Sequence, residues 1–590
     1  MKKEIIPIFY STDDRFVRYT VVSLKSLIEN ANPKREYVIH ILNAGLSNEN
    51  QALLSELNNK QFEIVFSDVR DHLAELSSLL PIRDYYTKTT YYRFFIAEMF
   101  PNYKKAIYLD SDTIVLGDIS KLFDTNISDF YVGACHEQVM IQEPIYGKYV
   151  ESALGISRMS YFNAGVLLMN LDLFREKEVL KEFSKLLSKY TFVVTQDEDY
   201  LNVILKDHIY WLDQSWNAET FKAIPVKDKD LKIIHYVMVN KPWHYPDCML
   251  NEYFFKYAKQ TTVYPLIEKE MDSYSVEQKA NDQKSIVALA ETAKKETIRE
   301  DSYFKILSKG MADDRIDILL KIKEYEFEGK FDKDVENDPP TKTLLPNEID
   351  YLRKSFKDKT KSKVAFMAAR VFMHYLLLSK KMIIKDIVGE ENFQSLDSGA
   401  IITCNHFNAF DSFAIQMAYE GANQSKRKFY RVIREGNYTS FPGFYGFIMR
   451  NCNTLPLSSN LETLKKFIKG TDELLKEGNF ILFYPEQSMW WNYRKPKPLK
   501  PGAFKFAARN KVPVLPCFIT MEDSDIIGED GFPVQEYTIH ILKPIYPKVE
   551  LDVQENEDYL RIENYNAWKK VYESNYKEPL RYLYPAKVSL

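Results

Sequence analysis

Residues 104–118 read KKAIYLDSDTIVLGD, a pattern that predicts an apolar strand ending in two aspartates. Strand-like and helical runs alternate around this stretch over the first 260 residues. The predicted strands are EIIPIFYS, REYVIHILN, QFEIVFSD, KKAIYLDSD and DFYVGACHE, and the predicted helices are YTVVSLKSLIENA and QALLSELNNK. This alternation predicts an α/β domain with a mostly parallel sheet, which binds ligands at the carboxyl ends of its strands.

Asp110 and Asp112 stand where the central strand ends, so both carboxylates can face one cavity. Two hard oxygen ligands at this spacing suit a divalent cation that is bridged to a diphosphate. On these two residues alone, an aspartate-rich turn without a metal is the commoner explanation. The surrounding motifs decide between the two.

Further motifs accompany the aspartate pair in a fixed order: FYSTDDRFVRYTVVSLKSL, TTYYRFF, SYFNAGVLLMNL, TQDEDYLNVIL and IIHYVMVNKPWHY. Together, over residues 4–260, they resemble the glycosyltransferase family 8 enzymes. Those are retaining sugar transferases of the glycogenin and lipopolysaccharide galactosyltransferase kind, with a GT-A fold. The resemblance implies a nucleotide-sugar fold and a UDP-hexose donor for this half of the chain.

The resemblance also implies a role for each matching residue. Asp110, Asp112 and His235 would bind Mn²⁺ (or Mg²⁺), which neutralises the leaving UDP as a Lewis acid. The other implied contacts are Lys241 to the diphosphate, Ser11 and Asp13 to the nucleoside, and Arg93, Asn163 and Asp197 to the donor sugar.

Two residues depart from the pattern of the family. Met238 stands three residues after the metal histidine, where the family often has Gly, so the phosphate loop is expected to differ in shape. Glu198 stands where related galactosyltransferases carry Gln. A carboxylate there could stabilise an oxocarbenium-like centre or act as a nucleophile, or the acceptor could attack on the face that the leaving group departs from.

A second site is predicted in residues 399–420, GAIITCNHFNAFDSFAIQMAYE, where His406 and Asp411 flank a strand-to-helix turn. An imidazole at this position can take a proton from a hydroxyl that attacks a thioester, while the carboxylate fixes its tautomer. Taken alone, the pair is explained as well by an Asn-His turn capped by an aspartate. Later stretches again favour the catalytic reading.

Three later stretches are SFPGFYGFIMRN, FILFYPEQSMW and KPGAFKFAARNKVPVLPCFI. With the histidine motif, over residues 360–550, they resemble the four blocks of the glycerolipid (PlsC-like) acyltransferases. The resemblance implies that His406 is the general base and Asp411 its partner, with acyl-CoA or acyl-carrier protein as the acyl donor. It also implies that Arg450 and Glu486 shape the acceptor pocket and that Ser488 contacts substrate.

The third block departs from the family in an informative way. Phosphate-using members usually have Phe-Pro-Glu-Gly-Thr-Arg, whereas residues 484–489 read YPEQSM. Loss of the arginine removes a bidentate phosphate ligand. Either Arg494, Lys495 and Lys497 compensate, or the acceptor is not glycerol phosphate but another hydroxyl, for instance that of a sugar.

The segment between the two predicted domains is charged and helical, which predicts a connector over residues 263–345. Pro339, Pro340 and Pro346 break it. An apolar helix is then predicted at residues 364–384, and the flanking lysines favour a position in the headgroup region of an anionic membrane. The alternative is an ordinary buried helix. These lysines are Lys359, Lys361, Lys363, Lys380 and Lys381.

Composition limits the other possibilities. A net charge of −4 over 590 residues argues against a nucleic-acid-binding protein. The start, MKKEIIPIFYSTDD, predicts an opening strand rather than a signal peptide, and no run of eighteen apolar residues occurs. We therefore expect a cytoplasmic protein that associates peripherally with the inner face of the cell membrane. A homo-oligomer is compatible with the sequence.

The sequence as a whole predicts two α/β catalytic domains, a GT-A domain at residues 1–262 and a PlsC-like domain at residues 346–590, joined by the helical connector. The expected function is that of a bifunctional bacterial enzyme of glycolipid or cell-surface glycan biosynthesis, which transfers a hexose and a fatty acyl group. One alternative is a pair of independent activities with lysophosphatidate as acyl acceptor. Another is that one domain is catalytically silent and serves as a membrane-docking scaffold.

Overall fold

The structure is a computed structural model that describes residues 5–74, 80, 88–336, 341–422 and 427–583. The chain divides into two compact units, Met1–Lys309 and Gly310–Leu590. This boundary falls inside the segment predicted as a connector, and the three-part division of the chain stays a prediction. Pro339 and Pro340 of the predicted break lie outside the described residues.

The first unit is an α/β domain, as the alternation of runs predicts. Its strands are β1 Ile5–Ser11, β2 Glu36–Asn43, β3 Phe62–Asp68, β4 Lys105–Leu109, β5 Thr113–Val115, β6 Val132–Ala134, β7 Val166–Asn170, β8 Ile209–Trp211, β9 Ala218–Glu219 and β10 Ile233–His235. Its helices are α1 Val17–Asn30, α2 Asn48–Ser55, α3 Arg70–Ala74, α4 Ile96–Met99, α5 Ile119–Phe123, α6 Gln138–Gln142, α7 Pro144–Tyr149, α8 Leu171–Glu176, α9 Val179–Leu187, α10 Asp197–Leu205, α11 Asn251–Ala258, α12 Tyr264–Ser273, α13 Val276–Ile298 and α14 Tyr303–Leu307.

Seven of these strands form one sheet in the order β3-β2-β1-β4-β7-β6-β8, and β5, β10 and β9 form a small second sheet. Pairing in the large sheet is parallel except where β7 runs antiparallel to β4 and β6. Apolar residues alternate along the strands, so each face of the sheet carries its own core. Because β1 and β4 are parallel neighbours, their carboxyl ends lie at the same edge of the sheet, where a ligand can bind.

Helix α13 lies in the segment predicted as a helical connector and packs into the first unit. Its N-terminus is a complete capping box, in which Ser275 and Gln278 exchange side-chain and backbone hydrogen bonds. Leu289 and Ala293 are buried in the core of the first unit. The helix is thus part of the first unit, because one turn in its middle carries small and apolar residues on one face.

The second unit is also α/β. Its strands are β11 Ile383–Val388, β12 Ala400–Thr403, β13 Phe429–Arg434, β14 Thr454–Leu457, β15 Phe480–Phe483, β16 Val514–Ile527 and β17 Pro533–Ile541. Its helices are α15 Asp313–Phe327, α16 Phe356–Leu378, α17 Glu391–Gln394, α18 Asp411–Gly421, α19 Glu435–Thr439, α20 Gly443–Asn451, α21 Leu461–Lys476, α22 Gly502–Asn510 and α23 Val553–Tyr576.

One sheet of seven strands, ordered β11-β17-β16-β12-β15-β13-β14, organises this unit. Only the β16–β17 pairing within it is antiparallel. Strands β12 and β15 are parallel neighbours in a register that pairs Thr403 with Phe483. The segments that follow these two strands therefore begin side by side at one edge of the sheet.

Helix α16 contains most of the apolar segment predicted to lie at a membrane surface. It begins earlier than predicted, at Phe356, and ends at Leu378, because Ile383 already belongs to strand β11. Among the helices of the described residues, none is both long and apolar enough to cross a membrane.

Candidate active sites

The two aspartates and the histidine predicted to bind metal come together in the first unit. Asp110 follows β4, and the antiparallel register of β10 with β5 pairs His235 with Thr113, the residue after Asp112. One ligand atom from each of the three side chains lies within 4.8 Å of the others. Nε2 of His235 is 3.2 Å from Oδ1 of Asp112 and 4.0 Å from Oδ2 of Asp110.

Neighbouring residues fit this group closely. A Cβ atom at Gly165 would stand 2.2 Å from Cε1 of His235 and 2.8 Å from Oδ2 of Asp110, so only glycine leaves room for both side chains. Nδ1 of His235 is 3.1 Å from Oδ1 of Asn217, which orients the ring so that Nε2 faces the carboxylates. Asn217 was not singled out in the sequence, since nothing in its local pattern marks it.

The charges around Asp112 suit a cation. Nζ of Lys241 lies 2.5 Å from Oδ2 of Asp112. Although burial raises the pKa of Asp112, the Lys241 ammonium and His235 hold that pKa below its usual range. Oδ1 of Asp112 is buried and accepts no well-aligned hydrogen bond. Two carboxylates, one of them with this unsatisfied buried oxygen, and one imidazole nitrogen are a donor set that fits Mn²⁺ or Mg²⁺.

The polar wall of the same cleft contains four more predicted residues, Arg93, Asn163, Asp197 and Glu198. Arg93 is 2% exposed and bonds Oδ1 of Asp110 at 3.0 Å and Oδ2 of Asp197 at 3.3 Å. The guanidinium therefore holds Asp110, a predicted metal ligand, and Asp197 in fixed positions relative to each other. Oε2 of Glu198 accepts a hydrogen bond of 2.8 Å from the backbone N–H of Ala164.

The backbone conformation at Gln196 places the carboxyl groups of Asp197 and Glu198 in the cleft. Gln196 has a φ of 55°, which is rare for a residue with a side chain, and helix α10 starts immediately after it. Asp197 and Glu198 thus stand in the first turn of α10 and face the cleft. Burial raises the pKa of Asp197 to about 7 against the attraction of Arg93. Burial and the nearby Glu137 carboxylate raise the pKa of Glu198 well above its usual range.

The sequence reasoning missed Glu137, which lines the cleft and is 4% exposed. It accepts a hydrogen bond from the side-chain amide of Asn163, and Oδ1 of Asn163 accepts bonds of 2.8 Å from Gly165 and Asn217. A full set of hydrogen bonds therefore fixes Asn163. Glu137 is the last residue of the predicted strand DFYVGACHE, and that position at a strand end was the only available signal.

An apolar wall forms another part of the lining of this cleft. Its side chains include Val139, Met140, Tyr146 and, from helix α13, Leu289. None of these four carries a charge, so this wall offers a surface to the apolar part of a ligand rather than to a phosphate.

Of the two residues predicted to contact the nucleoside, Ser11, at the end of β1, lines the cleft, whereas Asp13 is not among the described residues that line it. The Asp13 carboxylate instead bonds the backbone N–H groups of Arg15 and Phe16, at 3.0 and 3.3 Å, in the turn before α1. The nucleoside role of Asp13 stays a prediction.

Met238, expected to change the phosphate loop, lines the cleft with a φ of 58°. This is the left-handed conformation that glycine adopts most easily. The loop therefore keeps a glycine-like backbone despite the side chain.

In the second unit, the predicted histidine and aspartate form a direct hydrogen bond. Nδ1 of His406 lies 2.6 Å from Oδ2 of Asp411, which also accepts from the backbone N–H of Phe407 at 3.2 Å. Asp411 is 1% exposed, whereas the His406 side chain is 23% exposed. The ring thus presents Nε2 on its exposed side, and the described residues supply that nitrogen with no hydrogen-bond partner.

Tyr484 is a third member of this group that the sequence reasoning did not assign to the site. Its hydroxyl donates to Oδ1 of Asp411 at 2.8 Å, and its ring stacks on His406 with centroids 4.2 Å apart. The residue follows β15, the parallel neighbour of β12. That shared sheet edge explains why Tyr484 meets a histidine 78 positions earlier.

Glu486 lies behind His406 rather than beside its exposed nitrogen. Its carboxylate is 2% exposed and accepts from the backbone N–H groups of His406 at 3.1 Å and Lys497 at 2.7 Å. Burial raises the pKa of Glu486, against the attraction of Lys497. Ser488 is fully buried and bonds the backbone carbonyl of Phe331 and Nζ of Lys497. The substrate contact expected of Ser488 stays a prediction.

The cations that could replace the missing arginine are engaged within the second unit. Arg494 bonds Asp523 at 2.8 Å and Lys495 bonds Glu326 at 2.6 Å, while Lys497 is buried against Ser488. On helix α20, Nη1 of Arg450 donates to the backbone carbonyls of Tyr438 and Phe441. These two hydrogen bonds stabilise the segment that precedes helix α20.

Comparison with known families identifies one family model in each half of the chain. The family model for Glycosyl transferase family 8 matches residues 7–247, and the model for Acyltransferase matches residues 385–520. The chain joins a family 8 glycosyltransferase domain to an acyltransferase domain. Both are transferases, and together they support a bifunctional glycosyl and acyl transferase. The predicted metal ligands Asp110, Asp112 and His235, here called the metal group, fall within the family 8 match, as does Glu137. The residues His406, Asp411 and Tyr484 fall within the acyltransferase match.

Relatives of the family 8 domain include two curated bacterial proteins. General stress protein A of Bacillus subtilis is 26% identical over 41% of this chain and 89% of its own length. Lipopolysaccharide 1,3-galactosyltransferase of Salmonella typhimurium is 25% identical over 42% of this chain and 76% of its own length. For the acyltransferase half, the PlsC structure of Thermotoga maritima is 18% identical over 39% of this chain and 87% of that chain, with a TM-score of 0.27. Helices α13 and α16 lie outside both family matches.

Proposed function

We propose that the family 8 domain transfers a hexose from UDP-glucose or UDP-galactose with retention, and that the acyltransferase domain acylates a hydroxyl from acyl-CoA or acyl-carrier protein. The product of the two steps would be a glycolipid or a cell-surface glycan precursor. The observation that carries the proposal is the presence of two complete constellations, Asp110/Asp112/His235 and His406/Asp411. The name of the Salmonella relative supports a galactosyl or similar donor.

At the donor site, Asp110, Asp112 and His235 would hold the Mn²⁺ or Mg²⁺ ion. When bound, the ion supplies Lewis-acid stabilisation of the departing diphosphate. Lys241 lies beside Asp112 and would bind the same phosphates. Ser11 and Asp13 would contact the nucleoside, and Arg93, Asn163 and Asp197 the hexose.

At the acyl site, His406 would take the proton of the acceptor hydroxyl at Nε2 while Asp411 stabilises the charged ring through Nδ1. The acceptor oxygen bonds to the thioester carbonyl carbon, the carbon–sulfur bond breaks, and the proton passes to the leaving thiolate. Glu486 would keep the histidine-bearing turn in place through the backbone N–H of His406.

The acceptors are proposed from what surrounds each site. In the acyltransferase domain, Arg494, Lys495 and Lys497 already have internal partners, which favours an acyl acceptor without a phosphate. In the family 8 domain, the apolar wall containing Leu289 favours a hexose acceptor with an apolar portion. An acylated lipid or lipid-linked glycan satisfies both requirements.

Lysophosphatidate is the second candidate for the acyl acceptor. Arg450 supports it, because the residue is retained on α20 and the described residues give its Nη2 no hydrogen-bond partner. A phosphate-bearing acceptor would then not be shared with the hexosyl transfer.

We further propose that the acyltransferase domain contacts an anionic membrane surface through helix α16 and the start of α20. Phe356, Val371 and Leu378 are 87%, 72% and 77% exposed on α16, and Phe444 of α20 is 44% exposed. An exposed apolar surface of this extent on a domain that handles acyl chains is typical of interfacial binding. Exposed lysines at 357, 359, 361 and 363 precede the apolar part of the helix.

The test is mass spectrometry of the products that purified protein forms from Mn²⁺, UDP-glucose or UDP-galactose, acyl-CoA and a lipid extract. We expect wild type to form a species heavier by one hexose and one acyl chain. Asp110→Ala should abolish hexose addition, and His406→Ala should stop at the hexosylated species. Asp124→Ala, an exposed carboxylate paired with Arg35, is the matched control.

Each alternative predicts a different product pattern. If acylated lysophosphatidate accumulates unchanged in Asp110→Ala, the two sites act on separate substrates. If one domain gives no product with any donor, that domain is a scaffold and the bifunctional proposal is wrong.

A further inference from the structure

The Asp411 carboxylate has a hydrogen-bond donor on each oxygen. Oδ2 receives Nδ1–H of His406 and the backbone N–H of Phe407, while Oδ1 receives the Tyr484 hydroxyl. We propose that Tyr484 is a positioning residue that acts through Asp411 and lowers the pH range over which His406 becomes free to accept a proton. The proposal deepens the acyl-transfer function proposed above and rests on it.

The direction in which Tyr484 shifts the protonation of His406 follows from how the negative charge of Asp411 is distributed over its two oxygens. A third donor draws charge toward Oδ1, so less remains on Oδ2 to stabilise a doubly protonated His406 ring. The neutral ring, which is the form that can accept a proton, is therefore favoured down to lower pH. Removing only the hydroxyl should reverse this and move the acid side of the activity profile upward.

The Tyr484 hydroxyl can only act as a donor here. Burial and the Asp411 carboxylate raise the pKa of Tyr484 well above its usual range, so the phenol keeps its proton through neutral pH. The ring has a separate task, since its stack on His406 at 4.2 Å limits rotation of the imidazole plane. A phenylalanine would retain the stack and lose only the hydrogen bond.

Other titratable or charged groups face this trio from the surrounding elements and belong to the same electrostatic balance. They are Cys404 on the strand side, Glu486 with its partner Lys497, Arg431 from β13 and Tyr537 from β17. None of them bonds Oδ1 of Asp411 in the described residues. The hydrogen bond from Tyr484 is therefore the separable contribution.

The test measures hydrogen–deuterium exchange at the ring C2 position of His406 by mass spectrometry, as a function of pH and without any substrate. The variant is Tyr484→Phe. The matched control is Tyr430→Phe, a tyrosine that is 2% exposed and belongs to the apolar core on the other side of the same sheet. In Tyr484→Phe, the exchange midpoint of His406 should rise by about half a pH unit, the size expected for one hydrogen bond. It should not move in Tyr430→Phe.

A double-mutant cycle tests whether Tyr484 acts through Asp411. In an Asp411→Asn background, Tyr484→Phe should leave the exchange midpoint unchanged, because the carboxylate that transmits the effect is gone. Circular dichroism and thermal unfolding report whether the acyltransferase domain of each variant is folded, and hexosyl transfer serves only as a check on the other domain.

An unchanged or lowered midpoint in Tyr484→Phe overturns the proposal, and so does a shift that persists in the Asp411→Asn background. Acyl transfer gives a second readout: the acid limb of its kcat/KM profile should move upward by the same amount, whereas a uniform loss at every pH contradicts the proposal. If no acyl transfer occurs at all, the proposed function fails, and the exchange measurement still decides the role of Tyr484.

Discussion

Glu198 shares its surroundings with two more carboxyl groups, Glu137 and Glu219, which are 4% and 0% exposed. Burial raises the pKa of Glu219 as well, with Glu137 as a further cause. Neighbouring carboxyl groups that are buried away from water repel each other when they are charged. This repulsion favours the protonated forms of Glu198 and Glu219. The raised pKa of Glu198 favours its protonated form, which is uncharged like the side-chain amide of the glutamine in related galactosyltransferases.

We therefore expect Glu198→Gln to keep hexosyl transfer at pH 7 within about threefold of wild type, since one neutral hydrogen-bonding group replaces another. Initial rates with UDP-hexose and the identified acceptor measure this. Glu198→Ala, which loses the bond to the Ala164 N–H, should be slower. A loss of more than about a hundredfold in Glu198→Gln would instead identify an ionised nucleophile.

His40 is a second residue whose protonation matters, this time for stability. Its ring stacks on Phe9 at 4.7 Å, and its Nε2 is 3.1 Å from the hydroxyl of Tyr103. Burial lowers the pKa of His40 to about 4. The stability that the neutral ring contributes is thus fully present above the ordinary histidine pKa near 6.5 and is lost as the pH falls toward 4.

We expect the unfolding temperature of the family 8 domain to fall between pH 6.5 and 4, with a contribution from His40 of up to about 3 kcal/mol. His40→Gln cannot gain this charge, so its stability should depend less on pH in that window. Thermal denaturation followed at several pH values compares the two proteins. Identical slopes for wild type and His40→Gln would contradict the assignment.

Helix α16 is rich in apolar residues, but only a small part of its surface is buried. Its apolar residues are spread around the helix, and only Ala365 and Leu376 are fully buried against the acyltransferase domain. Phe372 and Leu377 are half-buried against the core, whereas Met367, Val371 and Leu378 are exposed, and lysines stand at the N-terminal end. An ordinary buried helix, the alternative left open by the sequence, would not leave Val371 72% exposed.

We expect the double variant Lys359→Glu/Lys363→Glu to bind phosphatidylglycerol vesicles at least about tenfold more weakly than wild type, because each basic residue near the surface contributes about 1 kcal/mol. Co-sedimentation with vesicles at low salt measures this, and phosphatidylcholine vesicles are the neutral comparison. Lys465→Glu/Lys469→Glu on helix α21 is the matched control. Equal losses in both double variants would show a general charge effect instead of binding by α16.

At the scale of the whole molecule, each compact unit contains its own sheet and its own apolar cores. The metal group and the cleft lie entirely within the first unit. A ligand that binds this site stabilises the native state of that unit by mass action.

We expect UDP with Mn²⁺ at a hundred times the dissociation constant to add about 2.7 kcal/mol to the stability of the first unit. Differential scanning calorimetry should show the transition of this unit moving upward, and Asp112→Asn should abolish the shift. Mg²⁺ in place of Mn²⁺ compares the two candidate ions. A shift that survives in Asp112→Asn would place the metal elsewhere.

Short contiguous patterns were sufficient to predict much of this protein. The order of strands and helices in the first unit, the α/β class of both units and the positions of Asp110 and His406 after strands all follow from hydrophobic periodicity and from residues adjacent to strand ends. The grouping of Asp110, Asp112 and His235 was predicted through the resemblance to family 8, because no local pattern places His235 beside the two aspartates.

Only the tertiary structure decided which distant residues meet. Asn217 orients His235, Leu289 enters the wall of the cleft, and Tyr484 reaches Asp411. These contacts depend on the pairing of β12 with β15, on the register of β10 with β5 and on the packing of α13. A local pattern determines where a strand ends and which of its faces is apolar. It does not determine which other strand end lies beside it, because that depends on packing between segments far apart in the chain.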